Sequence, residues 1–289
     1  MRVLVIGQNG QLARALTHIA DAGSLHHTSR DEIDLARPDT LDERLSAHYD
    51  LSRFDAIINA AAYTAVDQAE TDEALAHTIN ADAPAKLAEV CARHALKLVH
   101  ISTDYVFNGA SERPWREDDT PAPINAYGRS KLAGEHAVLA SHSDAIVLRT
   151  AWVYSPWGKN FLTTMFRLAR DRDQLSIVED QSGCPTSALD LARACLHMLI
   201  ADTPPGLYHA CGPDPMSWAD FARTIFERAL PEDQRPQITP IPTSRYPTPA
   251  RRPAHSVLDT DKLTRSTGFV FPPLTHSLDE VVSIIRAQK

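Results

Sequence analysis

No stretch of the chain approaches the ~18 apolar residues that a membrane-spanning helix needs, so no membrane role is expected. Cysteine is scarce: the four residues, at 91, 184, 195 and 211, show neither CxxC pairing nor tight metal spacing. That excludes a disulfide framework and a cysteine-rich metal site, and leaves reduced structural thiols. Positive charge is also short, since 29 Lys and Arg against 37 Asp and Glu leave a net charge of −8. General nucleic-acid binding is therefore not expected. Internal repeats and low-complexity tails are missing. The N-terminus offers Arg2 and a five-residue apolar run before polar residues, which is not a signal peptide, and a cytoplasmic protein is expected. The 13 histidines are scattered; His26-His27 and His94 with His100 show no ligand spacing, so no metal site is assigned.

What is present is ordinary for a soluble globular protein: 43% hydrophobic and 23% charged residues in 289, enough for one large domain or two unequal ones. Arg2 to Gly7 is a β-branched run ending in glycine, the pattern of a buried parallel strand. It feeds Gly7-Gln8-Asn9-Gly10-Gln11-Leu12-Ala13, after which Leu12, Leu16 and Ile19 keep helical spacing. A strand, a glycine turn and a helix in this order make the phosphate-binding turn of a dinucleotide fold. An ordinary tight turn would carry the same glycines. The pattern is GxxGxxA, with Ala13 small enough for helix–strand contact. A second strand over 25–29 ends at Arg30, where an acid would take a ribose 2′-hydroxyl and arginine suits a 2′-phosphate. NADPH is the expected cofactor, with NADH possible; a solvated arginine is the alternative. Asp34 and Leu35 follow and could border the adenine.

A third strand over 54–59 runs into Ala60-Ala61-Ala62-Tyr63-Thr64, small residues that leave room for a flat group against the backbone. Residues 72–94 read as one helix with Leu75, Ile79, Ala83, Leu87 and Val90 along its buried stripe. A fourth strand delivers Thr103 and Asp104 to the sheet's carboxyl edge, where ligands bind in such folds. A helix from about 125 to 140 carries Tyr127 and Lys131, four apart and therefore on one face. A lysine ammonium beside a tyrosine favours the phenolate, so Tyr127 is expected to have a lowered pKa. Chance also places Tyr and Lys four apart on helices. A fifth strand covers 145–149, and 217–230 and 277–287 read as helices.

Gly7-x-x-Gly10-Gln11-Leu12, Ile58-Asn59-Ala60-Ala61-Ala62-Tyr63-Thr64-Ala65-Val66-Asp67, Ser102-Thr103-Asp104-Tyr105-Val106-Phe107 and Tyr127-Gly128-x-x-Lys131-Leu132-x-Gly134-Glu135 resemble the extended short-chain dehydrogenase/reductases. Within these they are most similar to the dTDP-4-dehydrorhamnose reductase family. The match continues through Arg149-Thr150-x-Trp152-Val153-Tyr154, Gly183-x-Pro185-Thr186, Gly206-Leu207-Tyr208-His209 and the run from Pro247 to Pro253. The resemblance implies an α/β Rossmann-type doubly wound parallel sheet with a smaller C-terminal substrate lobe. It also implies NADPH-dependent reduction of the C4 ketone of a dTDP-4-keto sugar. Thr103, Tyr127 and Lys131 would be the catalytic triad. Gly7, Gly10, Gln11, Leu12, Arg30, Asp34, Leu35, Ala61, Ala62, Tyr63 and Lys131 would line the cofactor site. Thr103, Asp104, Tyr127 and Trp152 would face the sugar.

The expected division is 1–150 for the dinucleotide-binding domain and 151–289 mainly for the substrate lobe, with segments around 175–210 and 254–270 returning to the first. Arg245, Arg251 and Arg252 lie in a proline-rich, acid-free run. Arginine on a stiff loop suits a diphosphate, so Arg251 and Arg252 are expected to bind the sugar nucleotide; a solvated basic loop is the alternative. Some family members use a divalent metal to build a dimer, with a glutamate in the first helix. Ala15 stands near that point here, so a metal-bridged dimer is not expected; a Mg2+ requirement stays open, and a monomer or weak homodimer is expected. Nucleotide-sugar 4,6-dehydratases carry Asp-Glu after the threonine, whereas Asp104 precedes Tyr105, so dehydration is not expected. A non-catalytic regulatory subunit of the same fold would not need an intact triad. Related 4-keto sugars remain open as substrates.

Overall fold

The computed structural model describes residues 1–21 and 23–288. Its first half alternates strands and helices: β1 (Val3–Ile6), α1 (Gln11–Ile19), β2 (Leu25–Thr28), α2 (Leu41–His48), β3 (Ala56–Asn59), α3 (Glu73–His77), α4 (Ala83–Arg93), β4 (Lys97–Thr103), α5 (Ala126–Ser141) and β5 (Ala145–Thr150). The second half is more broken: β6 (Val153–Tyr154), α6 (Phe161–Asp171), β7 (Gln174–Val178), β8 (Ser182–Gly183), β9 (Thr186–Ser187), α7 (Ala188–Ile200), β10 (Gly206–His209), β11 (Met216–Ser217), α8 (Trp218–Ala229), β12 (Gln237–Ile241), α9 (Asp261–Thr267) and α10 (Leu274–Ala287).

Six strands form one parallel sheet in the order β10-β5-β4-β3-β1-β2. Parallel pairing forces each connection over a face of the sheet, so both faces are covered, and β1, β3 and β5 are mainly apolar and fully buried. Alternate residues serve alternate faces. Val3, Val5, Ile58, Val99, Ile146 and Leu148 pack into one core with residues of α1, α7, α8 and α10. Leu4, Ile6, Ile57, Leu98 and Val147 pack into the other with α2 and α4. β2 and β3 flank β1 on opposite sides, which opens a crevice at the carboxyl ends of these strands, the ligand position of doubly wound sheets.

Residues beyond 150 reach this sheet again. β10 pairs with β5 in register from Gly206↔Ile146 to His209↔Arg149, and Lys262 of α9 donates to the Leu207 carbonyl at 2.7 Å. Three two-stranded ribbons, β6–β9, β7–β12 and β8–β11, lie among the helices α6 to α10 in the rest of the second half.

One helix departs from its expected stripe. Residues 73–93 are helical throughout, but Thr78–Asp82 forms a π turn between α3 and α4. A π turn spends one more residue per turn than an α turn, so the stripe shifts phase across it. Ala83, Leu87 and Val90 are buried as the spacing predicts, whereas Leu75 is 42% exposed and Ala76 takes the buried place. The turn also aims Asn80 inward, fully buried.

Candidate active site

The crevice is a cleft of about 810 Å3 at the carboxyl edge of the sheet. One wall is the turn after β1. Gly7 has φ +99, a left-handed backbone that suits glycine, and a Cβ there would come within 3.3 Å of the Ala61 Cβ. Gly10 is the N-cap of α1 and supplies no side chain to the first turn. The free N–H groups at the start of α1 are therefore available for an anion. Gln11 is fixed by its amide, which donates to the Val153 carbonyl at 3.3 Å and accepts from the Ser155 hydroxyl at 2.8 Å. Leu12, Arg30, Asp34, Leu35, Ala60, Ala61 and Ala62 continue this wall. Arg30 reaches Asp34 at 3.5 Å with a side chain 80% exposed, so its guanidinium stands at the rim with little to hold it.

The opposite wall is β4, α5 and the end of β5, which bring Thr103, Asp104, Tyr127, Lys131 and Trp152 into the same cleft. The placement of α5 rests on contacts from distant segments. Asn125 caps it by accepting from the Gly128 N–H at 2.7 Å and donates to the Arg251 carbonyl at 2.8 Å. The Glu70 carboxylate accepts from the Ala126 N–H at 2.8 Å, an acid at a helix start where the dipole favours it. Close approach fixes the rest. A Cβ on Gly128 would stand 2.2 Å from the Tyr105 carbonyl, and one on Gly134 2.0 Å from that of Asn80. Asn80 in turn accepts from the Tyr63 N–H at 2.9 Å and donates to the Tyr63 carbonyl and the Ser130 hydroxyl at 3.0 Å each. The π turn thus joins the loop after β3 to the helix that carries Tyr127.

The electrostatics differ from the expectation that Lys131 lowers the tyrosine pKa. Burial pushes Tyr127 up to about 12; the neighbouring Thr103 hydroxyl opposes this and the Asp104 charge adds to it. Lys131 turns its ammonium to the Ile101 carbonyl at 2.6 Å, so desolvation outweighs a pairing that helical spacing alone suggested. Burial also lowers Lys131 to about 8, with Glu135 pulling it back up. Burial raises Asp104 to about 7, and the neighbouring Ser256 and Thr103 hydroxyls oppose that shift. The Thr103 hydroxyl donates to Asp104 at 3.0 Å, and the second carboxylate oxygen, Oδ2, has no partner among the described residues. A hydroxyl, a carboxyl near neutrality, a protonated phenol and an amine therefore converge on one surface, a set suited to moving a proton to or from an oxygen.

Three expected residues fall outside the cleft wall. Tyr63 turns its hydroxyl to Asp72 at 3.3 Å. Arg252 forms a bidentate pair with Asp67 at 3.0 and 2.9 Å, which ties the proline-rich loop to the segment after β3. Arg251 engages through its carbonyl, and its side chain is exposed. Spacing did not point to Glu70, Asn80 or Trp218. A buried asparagine interrupting an apolar helix stripe is the signal that could have found Asn80; nothing local marks the other two.

A glycine turn at a helix start, facing a tyrosine and a lysine across the edge of a parallel sheet, defines a Rossmann-type oxidoreductase. Comparison with known proteins makes this particular. The family model described as RmlD substrate binding domain matches residues 1–287. The chain is 41% identical to a dTDP-4-dehydrorhamnose reductase of Burkholderia thailandensis, with all of both chains covered. Among solved structures it superposes on a dTDP-4-dehydrorhamnose reductase of Clostridium acetobutylicum with TM-score 0.91 and 35% identity, covering 99% of this chain and 100% of that one. It superposes on that of Bacillus anthracis, solved in complex with NADP, with TM-score 0.89 and 33% identity, covering 100% and 99%. The chain belongs to the dTDP-4-dehydrorhamnose reductase family.

Proposed function

We infer that this protein reduces the C4 ketone of dTDP-4-dehydro-β-L-rhamnose with NADPH, giving dTDP-L-rhamnose. The observation that carries this is the convergence of Thr103, Tyr127 and Lys131 on one cleft facing the Gly7–Leu12 turn. That turn fits a dinucleotide, because Gly7 is left-handed against Ala61 and α1 begins without a side-chain cap. Gly10, Gln11 and Leu12 would meet the pyrophosphate, Arg30 the 2′-phosphate, and Ala61, Ala62 and Lys131 the nicotinamide half. When bound, NADPH supplies the hydride that attacks C4. Thr103 and Tyr127 orient the ketone by hydrogen bonds to its oxygen. Tyr127 gives up its hydroxyl proton as that oxygen becomes an alkoxide. Lys131 holds the ribose and keeps a positive charge in the cleft while the ketone oxygen becomes an alkoxide. Asp104 and Trp152 hold the sugar, and Arg251 meets the diphosphate. The test is oxidation of NADPH by the pure protein with a panel of dTDP-4-keto sugars; no turnover with any of them removes this function.

Two further outcomes follow. With Arg30 in place of the usual acid, NADPH should be used more efficiently than NADH, and Arg30→Asp should reverse the order. Equal kcat/KM with both cofactors in the parent protein would show that Arg30 reads nothing. Lys131 loses its proton as the pH rises through about 8, so kcat/KM should decline across that range. Arginine keeps its charge, so in Lys131→Arg the surviving activity should lack that decline. A parent profile flat through pH 9.5 would remove the role of the lysine charge.

A further inference from the structure

Trp152 has a backbone that tryptophan rarely adopts. It lies two residues beyond β5 with φ +48, a left-handed conformation that is a genuine outlier for a bulky side chain. Such conformations persist where the surroundings over-determine them, and they gather at functional sites. Three contacts determine this one. The Trp152 carbonyl accepts from the Thr186 N–H at 3.2 Å. Gly183 lies against the indole, so that a Cβ there would come 2.4 Å from the ring. Trp218, the first residue of α8, stacks on it with centroids 3.4 Å apart and planes at 4°. Aromatic rings left to themselves prefer offset or edge-on contact to a face-to-face sandwich, so the stack is imposed by what holds Trp218. Its indole Nε1 donates to Gln181 at 3.2 Å. The Gln181 amide donates onward to Thr243 at 3.0 Å. Phe161 leans on the Trp218 ring at 4.6 Å, backed by Phe221.

We propose that Trp218 is a positioning residue for substrate: by stacking on Trp152 it fixes that indole at the sugar end of the cleft and so sets the affinity for the sugar nucleotide. This rests on the sugar-nucleotide reading above. Both rings border the cleft, yet the two act in different ways. Trp152 lines the same cleft as Thr103 and Asp104, while Trp218 restrains it from α8. Without Trp218 the left-handed residue can relax to an ordinary backbone, and its ring leaves the place where the sugar docks.

The experiment uses Trp218→Ala, Trp218→Phe, Trp152→Ala, the double variant Trp152→Ala/Trp218→Ala, and Gly183→Ala. Each is read by KM for the dTDP-4-keto sugar, kcat, NADPH affinity and the circular-dichroism couplet of two stacked indoles. Parent turnover is measured first, because its absence strikes the proposed function, whereas parent turnover with a normal Trp218→Ala variant strikes this inference alone. Misplacing a substrate-positioning group by about 1 Å can cost up to ~100-fold, so Trp218→Ala should raise the sugar KM about tenfold or more. NADPH affinity should stay within about twofold of the parent. The couplet should vanish, and Trp218→Phe should recover much of the KM because a ring remains to stack. The double variant should be no worse than Trp152→Ala, since Trp218 acts through Trp152. Gly183→Ala tests the same point with Trp218 intact: its Cβ should displace the indole and raise KM, with no further effect in a Trp152→Ala background. The proposal is overturned if Trp218→Ala loses the couplet but keeps the parent KM, or if the losses of the two single variants add. If Trp218→Ala fails to fold, Gly183→Ala decides, and an unchanged KM there overturns it.

Discussion

Tyr127→Phe should lower kcat by about 10²–10⁴-fold, the usual contribution of a positioned acid or base, while NADPH affinity barely moves. The substitution keeps the ring and its edge-on contact with Tyr105, whose centroid lies 5.9 Å away at 78°. It removes the proton that Tyr127 is proposed to give the C4 oxygen. Burial sets the direction of that proton: with Tyr127 held up at about 12, the phenol is protonated at any working pH and would enter the proposed reaction as a loaded acid. The Thr103 contact moderates the same shift, so the hydroxyl proposed to orient the ketone would also keep the donor from becoming too weak. A protein that only binds NADP in this cleft would behave otherwise, with no sugar reduction in the parent and nothing lost with the hydroxyl. Single-turnover kinetics separate the chemical step from product release, and a Tyr127→Phe variant that reduces the sugar at the parent rate would remove the tyrosine from the mechanism.

Much of this site was legible because its parts are local. The Gly7–Leu12 turn needs only a strand, two glycines and a helix, and all lie within ten residues of one another. Thr103 and Tyr127 announce themselves by standing at a strand end and a helix start. The pKa of Tyr127 was not legible, because helical spacing shows which face a lysine shares but not where its ammonium turns or how dry the face is. Lys131 turns to Ile101, and desolvation then decides. The exposure of Leu75 was hidden by the π turn at Thr78–Asp82, since a single extra residue rotates everything before it. Arg252 shows a third kind of limit. The sequence offered a basic loop without acids, and the acid that pairs with it, Asp67, is 185 residues away. Separation along the chain also hid Glu70 under α5, 56 residues from Ala126, and Trp218 over Trp152. Periodicity reports which face of an element is apolar; it is silent on which distant side chain meets a polar one.

The largest stability effect is expected beneath the site rather than in it. Glu135 and Arg149 are 1% and 2% exposed and face one another across α5 and β5, with Arg149 Nε and Nη2 donating at 2.9 and 2.7 Å. The Ser102 hydroxyl also donates to Glu135, and the guanidinium stands over the Phe107 ring at 4.9 Å. Removing one partner leaves the other charge buried alone, which typically costs about 3–5 kcal/mol, a large share of the roughly 5–15 kcal/mol that stabilises a folded protein. Glu135→Ala should therefore shift the denaturant midpoint strongly downward. Replacing both partners with apolar residues, as in Glu135→Leu/Arg149→Met, removes the stranded charge and should recover most of that loss, since buried pairs rarely outdo hydrophobic packing. Activity should not recover with it. Glu135 lies one turn beyond Lys131 on α5 and supports its charge, while Ser102 follows the Ile101 carbonyl that Lys131 grips. Without Glu135, burial alone acts on the lysine, its pKa falls further, and the decline of kcat/KM with rising pH moves to lower pH. Equilibrium unfolding and a pH profile on the same two variants test both halves of this argument. A Glu135→Ala midpoint equal to the parent's would show that the pair contributes nothing to stability, and a stable double variant with the parent pH profile would show that the lysine does not depend on it.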